Sequence, residues 1–237
     1  MRFLHAVRRG SIDVAVDVGA AMGSYSWILG RRSAEVYAFE PGHFYYRYLK
    51  RVVLGSNVNV IQAAVGSVCD KATLFTPGSD RNALHSATLS RANPVARLPG
   101  THVDQIDQVT LDEFFSERLA PKRSIDLLKV DVEGYELDVF RGSIEVLSKY
   151  HPLIFCEIEA RHNARYKEVF DLLRKLGYDC YIFRGGAIEA FEGERIEALQ
   201  TEDDLTVRMS SSYRPDSNKY INNFVFQHPQ SRIRVKQ

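Results

Sequence analysis

The sequence predicts an open, doubly wound α/β sheet with mostly parallel strands. Three observations carry this. Short β-rich runs alternate with stretches whose apolar residues recur at helical spacing. Several of those runs are apolar throughout, as strands covered on both faces are. The first run leads directly into a glycine-bearing turn and a helical pattern, "DVAVDVGAAMGSYSW" at residues 13–27, and such turns hold nucleotides in folds of this class.

Taken in order, seven strands are expected, at residues 15–18, 35–39, 58–65, 126–132, 153–158, 179–183 and 223–227. Phe44, Tyr45, Tyr48, Leu49, Val52 and Val53 mark a helix after the second strand. Leu137, Phe140, Ile144 and Leu147 mark another after the fourth, and Tyr166, Val169, Phe170, Leu173 and Leu176 one after the fifth. The seventh strand follows the sixth with no clear helix between, so it is expected to run antiparallel. Two polar, turn-rich stretches break the rhythm, residues 77–100 and 185–222. Loops this long in a compact domain are lids, binding loops or solvated insertions, and both are candidate lids over a substrate.

With 237 residues, 45% of them hydrophobic, the chain suits a single domain over residues 1–237. A first strand reached within about a dozen residues also suits a fragment of a longer protein. The formal net charge of +1 gives no global field for nucleic acid or an anionic membrane, so such a partner would need a local patch. No apolar run is long enough to span a bilayer, and the start lacks the apolar core of a secretion signal. Cys69, Cys156 and Cys180 are too scattered for a disulfide framework or a zinc site. A soluble cytoplasmic protein is expected.

The turn after the first strand discriminates between nucleotides. A dinucleotide fingerprint places glycine at its first, third and sixth positions, where this chain has Gly19, Ala21 and Ser24. An acid followed by small residues at alternating positions, here Asp17, Gly19, Ala21 and Gly23, is instead the S-adenosylmethionine pattern. A carboxylate at Asp17 would repel a pyrophosphate but favour a sulfonium and an ammonium. Glu40, at the end of the second strand, can accept both hydroxyls of a ribose, or simply favour the start of the next helix. Ala63, Ala64 and Val65 offer a small apolar wall for an adenine ring.

Together with "KVDVEGYELDVFRG" at 129–142, these residues resemble the FkbM-type family of S-adenosylmethionine-dependent methyltransferases. The segments "DVGAAMGSYS", "FEP", "AAVGS", "VTLDEFF", "KVDVEGYELDVFRG" and "LIFCEIE" arrive in that family's order. The resemblance implies a Rossmann-like class I methyltransferase fold and methylation of hydroxyl oxygens on sugars, glycolipids or polyketide alcohols. It implies that Asp17, Gly19, Ala20, Gly23, Ser24, Glu40, Ala64, Val65 and Asp131 bind the cofactor, with Glu133 at the site mouth toward substrate. The Asn-Pro-Pro motif of many base-modifying methyltransferases is absent after the fourth strand, which argues against a nucleic-acid substrate.

Chemistry is expected at the carboxyl ends of the fourth and fifth strands. Asp131 and Glu133 leave the fourth, and Glu157 and Glu159 leave the fifth, with His162 beyond. Transfer to a hydroxyl needs alignment and removal of a proton. Asp131, Glu157 and His162 are the candidates for that work. Four carboxylates in one mouth would also suit Mg²⁺ or Mn²⁺, whereas Glu136 reads as an acid in the first turn of a helix. Two other functions stay open: a non-catalytic cofactor-binding partner protein and a nucleotide-dependent oxidoreductase.

Overall fold

The computed structural model describes residues 12–78, 87–192, 195–201 and 220–235. Its main sheet is built from β1 (Ile12–Val18), β2 (Ser33–Phe39), β3 (Val58–Ile61), β7 (Ile125–Val130), β8 (Leu153–Glu157), β9 (Asp179–Arg184), β10 (Ala187–Ala190) and β11 (Asn223–Gln227). The spatial order is β10-β9-β11-β8-β7-β1-β2-β3. Pairing is parallel from β3 through β2, β1 and β7 to β8. β11 inserts antiparallel between β8 and β9. The chain winds outward from β1 to β3, then returns to start again at β7 beside β1. The strand order therefore reverses between β1 and β7, where α/β folds open a ligand crevice.

The seven expected strands are all present, and the seventh runs antiparallel to its neighbours β8 and β9. The sheet gains an eighth strand, because β10 turns back on β9 as a hairpin inside the stretch read as a loop over 185–222. The third strand is shorter than expected. It ends at Ile61, and β4 (Ala64–Val65) pairs instead with β6 (His102–Val109) in a small second sheet of order β4-β6-β5, with β5 at Asp70–Thr76. β6 was hidden in the sequence because "HVDQIDQV" is largely exposed and offers no apolar face.

The helices α1 (Ser24–Gly30) and α2 (His43–Val52) cover one face of the sheet. Leu29 of α1 clusters with Ala15, Val36 and Leu127, and Leu49 with Val53 against Ala38. The other face carries α3 (Leu111–Ser116), α4 (Glu136–Arg141), α5 (Ile144–Tyr150) and α6 (Tyr166–Lys175). Their Phe115, Phe140, Leu147 and Phe170 pack with Val14, Val16 and Leu128. The single helix expected from Leu137 to Leu147 is broken at Gly142. A side chain there would meet the Gly66 carbonyl oxygen at 1.9 Å. Among the described residues no helix is long and apolar enough to cross a membrane.

Candidate active site

The turn after β1 is held by backbone geometry. Gly19 has φ +78°, and a Cβ on it would lie 1.9 Å from the Asp131 carbonyl oxygen, so only glycine lets the tails of β1 and β7 converge here. Ala21, at φ +46°, is also left-handed. Its N–H donates to Glu40 Oε2 at 2.8 Å, while the Gly42 N–H donates to Glu40 Oε1 at 2.7 Å. One carboxylate thus ties the first turn to the start of α2. Burial pushes Glu40 up to about 7, against the pull of the Gly42 and Ala21 amides.

These groups border a cavity at the strand-order reversal, where folds of this class bind their ligands. Gly19, Ala21 and Glu40 line it, together with Ala63, Ala64 and Val65 and with Asp131 and Glu133. Tyr45, Leu74, Ala87 and Leu89 complete the wall. A carboxylate oxygen has two acceptor directions, and the amides fill one on each oxygen of Glu40. The remainder suits a pair of hydroxyl donors such as a ribose diol.

Asp17 points elsewhere. Side chains alternate along a strand, so with Val18 toward the cavity, Asp17 lies on the α1 face, 1% exposed, where Ser26 Oγ donates to it at 2.6 Å. Its register neighbour on β7 is Lys129, an ammonium 1% exposed in a strand otherwise buried and largely apolar. Lys129 Nζ donates to Asp131 Oδ2 at 2.9 Å and sits 4.7 Å from the Tyr25 ring centroid. Burial raises Asp17 above the usual carboxylate range. Burial would lower Lys129, but Asp131, Asp17 and Glu157 outweigh it and hold the ammonium charged. Glu157 accepts from Asn222 Nδ2, and burial followed by repulsion from Asp131 pushes it up to about 8.

Glu133 has φ +48°. Its carbonyl accepts from Thr88 Oγ1 at 2.7 Å and Asn93 Nδ2 at 2.8 Å, and both donors are fully buried. Thr88 also bridges Phe75 of β5. Within the expected 77–100 lid, residues 87–100 therefore form a strap fastened to the Glu133 turn. Residues 79–86, and 193–194 and 202–219 of the second expected lid, lie outside the described residues. His162 Nδ1 is 2.5 Å from Glu133 Oε2, off the line of a hydrogen bond. Glu136 accepts from the Gly134 N–H and from Asn163 Nδ2, and braces the start of α4.

Of the residues singled out in the sequence, Gly19, Glu40, Ala64, Val65, Asp131 and Glu133 share the cavity. Ala20 packs beneath it against Ala38 and Leu49. Gly23 and Ser24 begin α1, and Asp17, Glu157 and His162 do not line the cavity. Among the described residues no three His, Cys, Asp or Glu side chains are set to hold a metal ion. Sequence reasoning missed Lys129, Thr88 and Asn93. A lone cation inside an apolar strand was the available signal for the first.

The Methyltransferase FkbM domain model matches residues 17–180, which span the turn, Glu40, Asp131 and Glu157. The chain belongs to the FkbM methyltransferase family. Its cofactor is that of the family, S-adenosylmethionine, and the small-walled cavity with its free acceptor directions on Glu40 suits an adenosine. Methyltransferase 1 of Beauveria bassiana (strain ARSEF 2860) is 32% identical over 142 residues, 54% of this chain and 57% of that protein. The match thus spans little more than half of that relative. Among solved structures, FkbM methyltransferase from Methylobacillus flagellatus KT aligns with TM-score 0.53 at 16% identity, over 92% of this chain and 44% of the other. A Streptococcus mutans protein solved with SAH aligns with TM-score 0.50 at 9% identity, over 95% and 93%. At such identities these likenesses show the shared class I fold. Membership of the family sets aside the oxidoreductase reading.

Proposed function

We propose that this chain methylates a hydroxyl oxygen of a small molecule or glycan, with Asp131 as the group that accepts the hydroxyl proton. The observation that carries this reading is a carboxylate lining the cavity that Glu40 also lines, held by a buried ammonium 2.9 Å away. When bound, S-adenosylmethionine supplies an electrophilic methyl group. Glu40 accepts the ribose hydroxyls, and Ala63, Ala64 and Val65 flank the adenine. Lys129 orients Asp131 by donating to Oδ2, so that its other oxygen can take the proton as the acceptor oxygen is alkylated. Glu133 meets the acceptor at the mouth, while Leu74, Ala87 and Leu89 exclude water. Glu157 and His162 stand behind, where Glu157 adjusts the charge around Asp131 rather than touching the acceptor.

Asp131→Asn tests this. It preserves shape while removing the proton acceptor, so turnover should fall about 10²-fold or more with cofactor affinity retained. Labelled cofactor and a panel of sugars, glycolipids and polyketide alcohols provide the assay. Full turnover by folded Asp131→Asn enzyme would sink the proposal. Loss of wild-type activity on chelation, restored by Mg²⁺ or Mn²⁺, would replace the base with a metal ligand.

A further inference from the structure

Exposed apolar side chains are not spread evenly over the described residues. Six of the nine large exposed hydrophobics among the described residues fall within residues 22–54: Met22, Trp27, Phe44, Tyr48, Val52 and Leu54. Phe44 is 71% and Leu54 87% exposed. Helix α2 explains part of this, because it is apolar on more than its buried side. Tyr45 and Leu49, with Val53 next in the series, face the protein, while Phe44, Tyr48 and Val52 form a second stripe one residue earlier at the same four-residue spacing. Helix α1 lies alongside: a Cβ on Gly23 would meet Leu49 Cδ1 at 2.3 Å. Trp27 sits one turn further along α1, its N–H bonded to the Gly23 carbonyl.

The charge on this face has one sign. Residues 41–69 contain no Asp or Glu, whereas His43, Arg47, Lys50 and Arg51 are all exposed. Arg31 lies 4.5 Å from the Trp27 ring centroid. The two acids elsewhere in residues 18–69 are spoken for: Glu35 pairs with Arg123, and Glu40 is buried in the cavity. A near-neutral chain thus carries a local patch that is both basic and apolar.

We propose that the α1–α2 face docks on an anionic lipid bilayer. Rings and aliphatic side chains framed by Lys and Arg are the composition of a helix that lies in the interfacial plane. The long cationic side chains can reach headgroup phosphates while their stems and the rings enter the acyl boundary. A second copy of the face would bring like charge against like. Nucleic acid would gain little from Met22, Val52 and Leu54. Docking here also sets the cavity wall close to the lipid surface, since Met22 and Phe44 adjoin Ala21 and Tyr45, which line the cavity.

The test needs no methyl transfer, so it stands or falls apart from the catalytic reading. Trp27 is the only tryptophan in the chain, and its emission reports directly on this face. Mixed phosphatidylcholine–phosphatidylglycerol vesicles should shift that emission to the blue, and brominated acyl chains should quench it. Vesicles of phosphatidylcholine alone should do much less, and added salt should weaken the effect. Arg47→Glu/Lys50→Glu/Arg51→Glu and, separately, Phe44→Ser/Tyr48→Ser should each lower the partition coefficient about tenfold or more, with unchanged far-UV circular dichroism. Equal response to neutral and anionic vesicles, or none to either, overturns the proposal. So does a blue shift produced by polyuridylate, or by raising protein concentration without lipid.

Discussion

Lys129 Nζ lies 2.9 Å from Asp131 Oδ2, and the two residues stand on opposite sides of the boundary between core and cavity. The lysine side chain is 2% exposed and the aspartate side chain 29%. The pair joins a buried charge group, with Asp17 and Glu157 close enough to bias the ammonium, to the one carboxylate of that group that lines the cavity. A lone ammonium at that depth would shed its proton. Asp131, followed by Asp17 and Glu157, outweighs that pull.

Removing the cation from that group should be costly. Lys129→Met leaves Asp17 buried without its strand neighbour's charge and releases Asp131. Breaking such a pair from one side destabilises by about 3–5 kcal/mol, measurable by urea unfolding. Adding Asp17→Asn to Lys129→Met should recover part of the loss. A cost below about 1 kcal/mol, the range of a surface pair, would show that the group does not act as a unit.

Glu40 makes cofactor affinity pH-dependent. Hydroxyl donors favour its ionised form, so binding should lower its pKa from about 7 and release a proton. Affinity for S-adenosylmethionine should therefore rise as pH increases through 7. Titration calorimetry in buffers of different ionisation enthalpy should detect the proton, and Glu40→Gln should abolish the dependence. For the free protein the sign is opposite. Glu40 and Glu136 are both raised to about 7 by burial, so their contribution to stability is complete below the unfolded carboxylate range and is lost as pH rises through 7. Urea midpoints that climbed between pH 6 and pH 8 would contradict this.

Ala21 adopts φ +46° where the cofactor turn could use glycine, a conformation disfavoured for a residue with a Cβ by about 1–2 kcal/mol. Glu40 holds it there through the Ala21 N–H. Ala21→Gly should relieve the strain at the cost of added freedom in the unfolded chain. A net gain of about 0.5–1 kcal/mol in unfolding free energy is expected. Loss of stability would mean that the methyl group's packing outweighs the strain.

What the sequence made legible follows from where the signals lie. Apolar strands such as "LLKV" and the glycine turn at Gly19 are local patterns, and they located the sheet, its reversal point and Glu40 beside it. Adjacency to the turn points Asp17 toward the cofactor, yet the two-residue period of β1 sends its side chain to α1. Strand ends group Glu157 and His162 with Asp131, but they fix height on the sheet and not side-chain direction. β6 escaped because its residues are mostly polar and face water. Thr88 and Asn93 escaped because their partner, the Glu133 carbonyl, is 40 or more residues away.

That carbonyl sets the last prediction. Glu133 is held in a left-handed conformation that a glutamate adopts only when its surroundings impose it, and Thr88 and Asn93 supply two of the constraints. Asn93 also accepts from the Val95 N–H at 3.0 Å, which starts the short turn Pro94–Arg97. Asn93→Ala would leave that amide unsatisfied and remove one of the two donors to Glu133. Each lost buried hydrogen bond costs about 1–3 kcal/mol, but the loss should stay local, because residues 87–100 pack on the small sheet rather than within the main one. Hydrogen exchange should therefore quicken across 87–100 and at Gly134, while β1, β2 and β7 keep their protection and S-adenosylmethionine binds with nearly unchanged affinity. Turnover should fall, since Glu133 and the Leu89 wall are both set by this strap. Uniform loss of protection through the main sheet would make Asn93 a general determinant of the fold, and unchanged exchange in the strap would show that Thr88 alone fastens it.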